Sequence, residues 1–188
     1  FPADARADSG VRTGDAISPH YDPMIAKLIV QGPTRAIALA RLRRALAQTQ
    51  VAGTVTNLAF LGALAAHAGF AAGDVETGLI ARDLDALTRP PEVTPRIVAQ
   101  AALAAAGLDA ATGWDVGFAL WQALPRPLML RRDGQDIRCI LRVMGPDLVE
   151  ITVDDMRVRA DRVAGAWVID GSPGAPVHLT PGAVTVFD

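Results

Sequence analysis

The sequence predicts an α+β protein in two parts. Residues 1–87 read as a mixed piece of antiparallel strands and helices. Residues 96–188 read as an antiparallel β-barrel with one central long helix, joined to the first part by a linker at 88–95. Three observations carry this. Residues 88–95, Thr-Arg-Pro-Pro-Glu-Val-Thr-Pro, place three prolines in eight positions, the texture of a domain boundary. Residues 96–106 are apolar nearly all round, and a helix with almost no polar face has to be surrounded by protein. After Gly113 the chain breaks into seven or so short alternating strands between Gly, Pro and Asp turns, the spacing of a barrel or sandwich. The helix then has a place to hide, against or inside that barrel.

Composition narrows the function classes. With 188 residues the chain can hold one large or two small cores. Hydrophobic residues make up 51% of it, which excludes disorder for most of its length. No run of about 18 uncharged apolar residues occurs, so no transmembrane helix and no membrane partner are expected. Eighteen basic residues against twenty acidic ones offer no field for nucleic acid. The single cysteine, Cys139, excludes an internal disulfide and points to a reducing, intracellular compartment. The chain opens at Phe1 with no secretory leader, and it is expected to be a fragment of something longer.

In chain order, turns at 8–10 and 13–15 flank strand residues Val11 and Ile17. Residues 18–30, Ser-Pro-His-Tyr-Asp-Pro-Met-Ile-Ala-Lys-Leu-Ile-Val, follow. The apolar run after Pro23 reads as a buried strand stopped by Gly32-Pro33. Lys27, the only lysine of the chain, lies inside it and would need an acidic partner there, with Asp22 the nearest in sequence. Thr34 is an N-cap for a helix over 35–48 whose apolar positions share one face, with an arginine-rich face opposite. Thr56 or Asn57 can cap a second helix running to His67, where a partly charged ring would suit the helix dipole. Thr77 can cap a last short helix. Thr94 with Pro95 behind it is an N-cap and N1 pair for the apolar helix, which Gly107 closes. Asp133-Gly134 then marks a two-residue hairpin.

No complete active site is legible. A phosphate loop, a Gly-x-Gly-x-x-Gly, a nucleophile elbow and metal-spaced His or Cys are all missing from the sequence. The histidines at 20, 67 and 178 fall in different elements. Cys139 alternates with dry-face apolar residues, so it reads as core rather than as a nucleophile. The aspartates at 154 and 155 sit in a turn.

The tract from His20 to Leu28, preceded by Asp8-Ser-Gly-Val-Arg-x-Gly-Asp15, resembles the C-terminal subdomain of biotin carboxylases. The likeness continues through Ala38-Leu-Ala-Arg-Leu-Arg-x-Ala-Leu46, Val51-x-Gly-x-x-Thr-Asn57, Phe60-Leu61 and Gly73-Asp-Val-x-Thr77. Within that family it is most similar to α-subunits of the acyl-CoA carboxylases that act on 3-methylcrotonyl-CoA, with the propionyl-CoA and geranyl-CoA carboxylases as alternatives. The resemblance implies that residues 96–188 are the middle domain of such subunits, a barrel around a long helix. It implies a parent that uses biotin, ATP and Mg, self-associates through its biotin carboxylase, and docks on a carboxyltransferase β-subunit. It implies bacterial cytoplasm or the eukaryotic mitochondrial matrix, and a role in leucine breakdown. The fragment itself is expected to be inactive and to bind no cofactor. The ATP loop and metal-binding acids of that family would lie upstream, and Lys27 lacks the flanking methionines of a biotinylated lysine. By the same resemblance Tyr21 and Asp22 are candidates for the cleft side, with Lys27 as a structural ion-pair partner. Trp114, Phe118, Trp121 and Arg126 are candidates for subunit docking, because large aromatics are enriched at interfaces. The rival reading is a free-standing β-barrel binding module for oligonucleotides, which predicts a basic, aromatic-studded strand face.

Overall fold

Caps set where the two longest helices begin. Thr34 Oγ1 accepts the Ile37 N–H at 3.3 Å to start α1 (Arg35–Gln48), and Thr94 Oγ1 accepts the Ile97 N–H at 3.4 Å to start α6 (Pro95–Ala105). Between them lie α2 (Leu58–Ala66), α3 (Ala68–Ala72), α4 (Leu79–Arg82) and α5 (Leu84–Leu87). The computed structural model describes residues 1–188 apart from 18, 19, 21–23, 111, 112, 114, 117 and 188. It divides into two units, Phe1–Pro91 and Glu92–Asp188.

In the first unit β1 (Arg6–Ser9) pairs antiparallel with β2 (Ala26–Ile29), and α1 packs on α2. Two local expectations change here, and a third residue gains a second role. The buried strand over 24–30 is a four-residue strand with one partner. Its Ala26 and Leu28 are half-buried, while Lys27 and Ile29 are exposed. Lys27 therefore stays in water and carries no burial cost. His67 ends α2 but also begins α3: its Nδ1 accepts the Phe70 N–H at 3.4 Å and its Nε2 lies 3.1 Å from Asp83. The residue thus ends α2 and caps α3 at once. Thr77 caps nothing, since Gly78 holds the N-cap position of α4.

Gly32 is where the chain leaves β2 and turns back under α1. A Cβ there would stand 2.6 Å from the Ala38 backbone nitrogen, so only glycine allows the approach. Gly62 is the opposite case, a glycine inside α2 whose Cβ would meet nothing within 4 Å.

The second unit contradicts the barrel. Its strands β3 (Pro125–Arg132), β4 (Gln135–Gly145), β5 (Leu148–Val153), β6 (Met156–Val163), β7 (Ala166–Ile169) and β8 (Ser172–Pro173) form one antiparallel sheet in chain order. Strands β9 (Val177–Thr180) and β10 (Ala183–Val186) form a separate two-stranded sheet. Each strand pairs with its neighbour in sequence, and among the described residues nothing joins β3 to β8 or β10. Closure would need a donor row along both edges. Edge β3 carries Pro125 and Pro127, which have no N–H to give, and β8 is two residues long and ends on Pro173. The seven strands expected from the alternation are present; their closure is not.

The helix is not long either, at 11 residues, and it lies on the sheet rather than inside a ring. It contacts β4, β5, β6 and β7 of the large sheet and β9 and β10 of the small one. Val98, Ala99, Ala102 and Leu103 are buried with Cys139, Leu141, Val143, Val149, Ile151, Val158, Ala160, Trp167 and Ile169 in one apolar core. The helix stops in a Schellman turn: Leu108 N–H bonds to Leu103 O and Gly107 N–H to Ala104 O, both at 2.9 Å. Gly107 takes the positive φ this requires, and Leu108 folds back into the core. Hairpin turns repeat one device. Asp133-Gly134, Ala164-Gly165 and Asp170-Gly171 each place two residues at positive φ, the type I′ pattern that matches strand twist.

Gln100 is the polar exception on the buried side of α6. Its Oε1 accepts the Ala175 N–H at 3.0 Å, which pins the segment between β8 and β9 to the helix. Gly174 passes so close that a Cβ there would sit 2.8 Å from that oxygen.

Cys139 is fully buried on β4, and its thiol is pushed up to about 11, first by burial and then by the charge of Asp154. A thiol raised in the folded state favours folding below its unfolded pKa, and that contribution is lost as pH climbs toward about 11.

Two predictions follow from these placements. Gly32→Ala lowers the unfolding free energy by about 1–3 kcal/mol, whereas Gly62→Ala raises it by about 0.5–1 kcal/mol; chemical denaturation of both variants checks the opposite signs. Cys139 is inert to a thiol-exchange reagent at about pH 8 in the native chain and reacts at one thiol per chain in denaturant, read by absorbance.

Candidate functional site

The first candidate is the tract around β2. Tyr21 and Asp22 lie outside the described residues. Lys27 stands opposite Asp8 across the β1–β2 ladder. Asp8 is held below the usual carboxylate range chiefly by its hydrogen bond from Arg6, at 2.8 Å, with a smaller part from the Lys27 charge. Lys27 thus supports a small exposed charge cluster with Arg6 and Asp8. All three side chains are in water, so the cluster orients the hairpin without storing much energy.

Beneath β2 the first unit opens an apolar cleft of about 730 Å³. Leu28 of β2, Leu42 and Leu46 of α1, and Leu58, Leu61 and Leu64 of α2 line it, with Val51, Val55 and Phe70. Its polar lining is Thr49, Thr56 and Asn57, and among the described residues no titratable side chain lines it. Val55 at its rim is 97% exposed. Such a surface can receive an apolar segment, and its described lining offers no group for the proton transfer that acid–base chemistry requires. Neither the cleft nor the length of its apolar lining was legible beforehand, because it depends on how α1 and α2 splay.

Three of the four arginines of α1 are engaged locally rather than gathered for an anion. Arg35 donates to the carbonyls of Phe70 and Ala71, the latter at 3.3 Å, and lies over the Phe70 ring at 5.3 Å. Arg41 donates to Gln31 O at 2.6 Å, and Arg44 pairs with Asp4. They tie α1 to α3, to the β2–α1 turn and to the N-terminal segment.

The second candidate is the segment before β3. Trp114 lies outside the described residues. Trp121 is 95% exposed and Phe118 is 67% exposed, and Arg126 is exposed at the start of β3. The structure adds Leu120 and Leu124, 80% and 70% exposed, which sequence reasoning missed. The available signal was an apolar stretch at 118–124 that fits neither the 3.6 nor the 2 period of a buried face. Four large apolar side chains held in water within seven residues make a patch that a solitary protein has reason to avoid. Among the described residues, no group of three His, Cys, Asp or Glu side chains could hold a metal.

Comparison with known proteins bears on the first unit. A family model described as the biotin carboxylase C-terminal domain matches residues 2–82. The methylcrotonoyl-CoA carboxylase subunit alpha, mitochondrial, of Glycine max is 55% identical over 75 residues, 40% of this chain and 10% of that protein. Its namesake in Rattus norvegicus is 44% identical over 99 residues, 52% of this chain and 14% of the relative. The propionyl-CoA carboxylase alpha chain of Ruegeria pomeroyi is 47% identical over 81 residues, 43% and 12% of the two chains. The chain thus spans 10% to 14% of the length of these relatives. The matched stretch is the one that holds β1, β2 and α1 to α4, together with the apolar cleft between them. Residues 2–82 of the chain are thus similar to the biotin carboxylase C-terminal domain family.

Proposed function

We propose that the chain is part of the α-subunit of a biotin-dependent acyl-CoA carboxylase, in which ATP drives carboxylation of biotin and a carboxyltransferase β-subunit passes the carboxyl group to an acyl-CoA. The observation that carries this is the 55% identity over 75 residues to a methylcrotonoyl-CoA carboxylase α-subunit. 3-Methylcrotonyl-CoA, an intermediate of leucine breakdown, is the favoured substrate, and propionyl-CoA is the alternative that the Ruegeria relative supports. The compartment follows the host: mitochondrial matrix where the relatives are named mitochondrial, cytoplasm in a bacterium.

Within that assembly the chain is a scaffold. Among the described residues the cleft of the first unit offers apolar side chains and no acid or base, so its role is to wall and support a catalytic half supplied elsewhere. Tyr21 and Asp22 are the candidates for the side of the biotin carboxylase cleft itself. The second unit docks. Trp121, Phe118, Leu120 and Leu124 supply the exposed apolar anchor, and Arg126 supplies a charge at its rim, the anatomy of an interface hot spot. The oligonucleotide-binding alternative is disfavoured, because the exposed aromatic side chains of the second unit, Phe118 and Trp121, lie in one loop instead of along a basic strand face.

Mixed with the carboxyltransferase β-subunit, the chain co-elutes as a complex, and Trp121→Ala weakens the complex by about 2 kcal/mol or more, roughly thirtyfold. Titration calorimetry reads the affinity. Binding of single-stranded nucleic acid with no complex would sink the reading, as would bicarbonate-dependent ATP hydrolysis by the purified chain alone.

A further inference from the structure

The outer face of the large sheet carries an unneutralised cluster of arginines. Burial identifies the inner face: Cys139, Leu141 and Val143 on β4, Val149, Ile151 and Val153 on β5, Val158 and Ala160 on β6. The intervening residues point the other way. Register sets them in two rows across β3 to β6, one of Pro125, Arg142, Glu150 and Arg159, the next of Pro127, Ile140, Thr152 and Arg157. Arg138 lies beside the second row, opposite Met129.

Their charges are not equally engaged. Arg159 holds Asp161 at 2.8 Å, and Arg131 holds Asp136 at 2.6 Å. The guanidinium groups of Arg138, Arg142 and Arg157 are exposed and make no hydrogen bond or ion pair among the described residues. Glu150 stands between Arg142 and Arg159, and Asp154 at the adjoining turn directs Oδ1 to the Arg138 backbone N–H at 3.4 Å. Adjacent strands lie about 4.8 Å apart, so the three free guanidinium groups fall within one patch that spans β4 to β6.

We propose that this patch extends the docking surface and takes an acidic stretch of the partner subunit. The proposal rests on the docking reading given above. Three features favour that occupant. Guanidinium forks are shaped for carboxylates, and three of them lack a partner here. Pro127, Met129 and Ile140 lie among them and give the patch the mixed apolar and arginine character of protein interfaces. The apolar loop 118–124 runs directly into Pro125, whose ladder partner is Arg142, so the two surfaces are continuous along the chain. A nucleic acid is a poorer fit, because none of the outward positions of β3 to β7 is aromatic and no stacking platform exists.

The test uses the full chain and the carboxyltransferase β-subunit at about 50 and about 300 mM salt. The triple variant R138E/R142E/R157E is expected to bind about tenfold or more weakly at the lower salt and to lose most of the salt dependence. Arg43→Glu on α1 serves as the charge control and changes affinity less than about twofold. Should the reversal disturb folding, the triple Arg→Gln variant is read instead, with thermal melting confirming its integrity. Affinity of the triple variant within twofold of the parent, while Trp121→Ala still weakens binding, overturns the inference and leaves the docking reading intact. Absence of any complex with the parent chain overturns both. Displacement of the β-subunit by single-stranded DNA, lost in the triple variant, shows the wrong class of occupant and overturns the inference as well.

Discussion

Helix α6 has almost nothing to offer water between Val98 and Ala104, and the second unit is arranged to enclose it. Four strands of the large sheet, β4 to β7, meet it on one side and the β9–β10 hairpin on another. Ala99, Ala102 and Ala104 keep its surface thin, so backbone and sheet approach closely, and Leu103 fills the space this leaves. Gln100 is tolerated in that setting because its oxygen meets the Ala175 N–H; unpaired, it would cost about 1–3 kcal/mol. The same bond positions the turn that brings β9 and β10 back over the helix. Removing the apolar helix would expose the inner row of every strand from β4 to β7.

The first unit is built on a different principle. Its tie points are charged groups meeting backbone carbonyls, as where Arg35 closes the end of α3 and Arg41 holds Gln31. Few of its large side chains are fully buried; Leu79 and Leu87 are the main ones. Leucines of α1 and α2 line an open cleft instead of a closed core. A domain that leaves this much apolar surface accessible is suited to lean on another part of its own protein. That agrees with a chain that spans a small share of its relatives. The two units thus serve one proposed purpose by different surfaces, an apolar cleft in the first and an aromatic loop with a basic sheet face in the second.

Much of the local structure was legible because its causes are local. Thr34 and Thr94 cap helices through bonds to residues three positions on. Asp133-Gly134 turns a hairpin because both residues adopt positive φ. Period-two alternation identified the buried row of β4, Cys139 included. The motifs between Asp8 and Thr77 pointed to the biotin carboxylase family, since residue order and spacing survive in the linear chain. Thr77 was misjudged, since Gly78 holds the N-cap position of α4, and the second role of His67, as the cap of α3, depends on its neighbour Phe70.

By itself the sequence determined the starts of α1 and α6, the strand series of the second unit and the likeness of residues 2–82 to the biotin carboxylase C-terminal domain. Only the tertiary structure decided whether the sheet closes, whether Lys27 is buried, and which aromatic and arginine side chains face water. Closure depends on pairing the first strand with a distant one, and the prolines at Pro125, Pro127 and Pro173 act at edges that exist only after the sheet has formed. Exposure is likewise a property of what packs over a residue. Lys27 was expected in a buried strand because its neighbours are apolar; in the fold the strand has one partner and an open outer side, and the lysine remains in water.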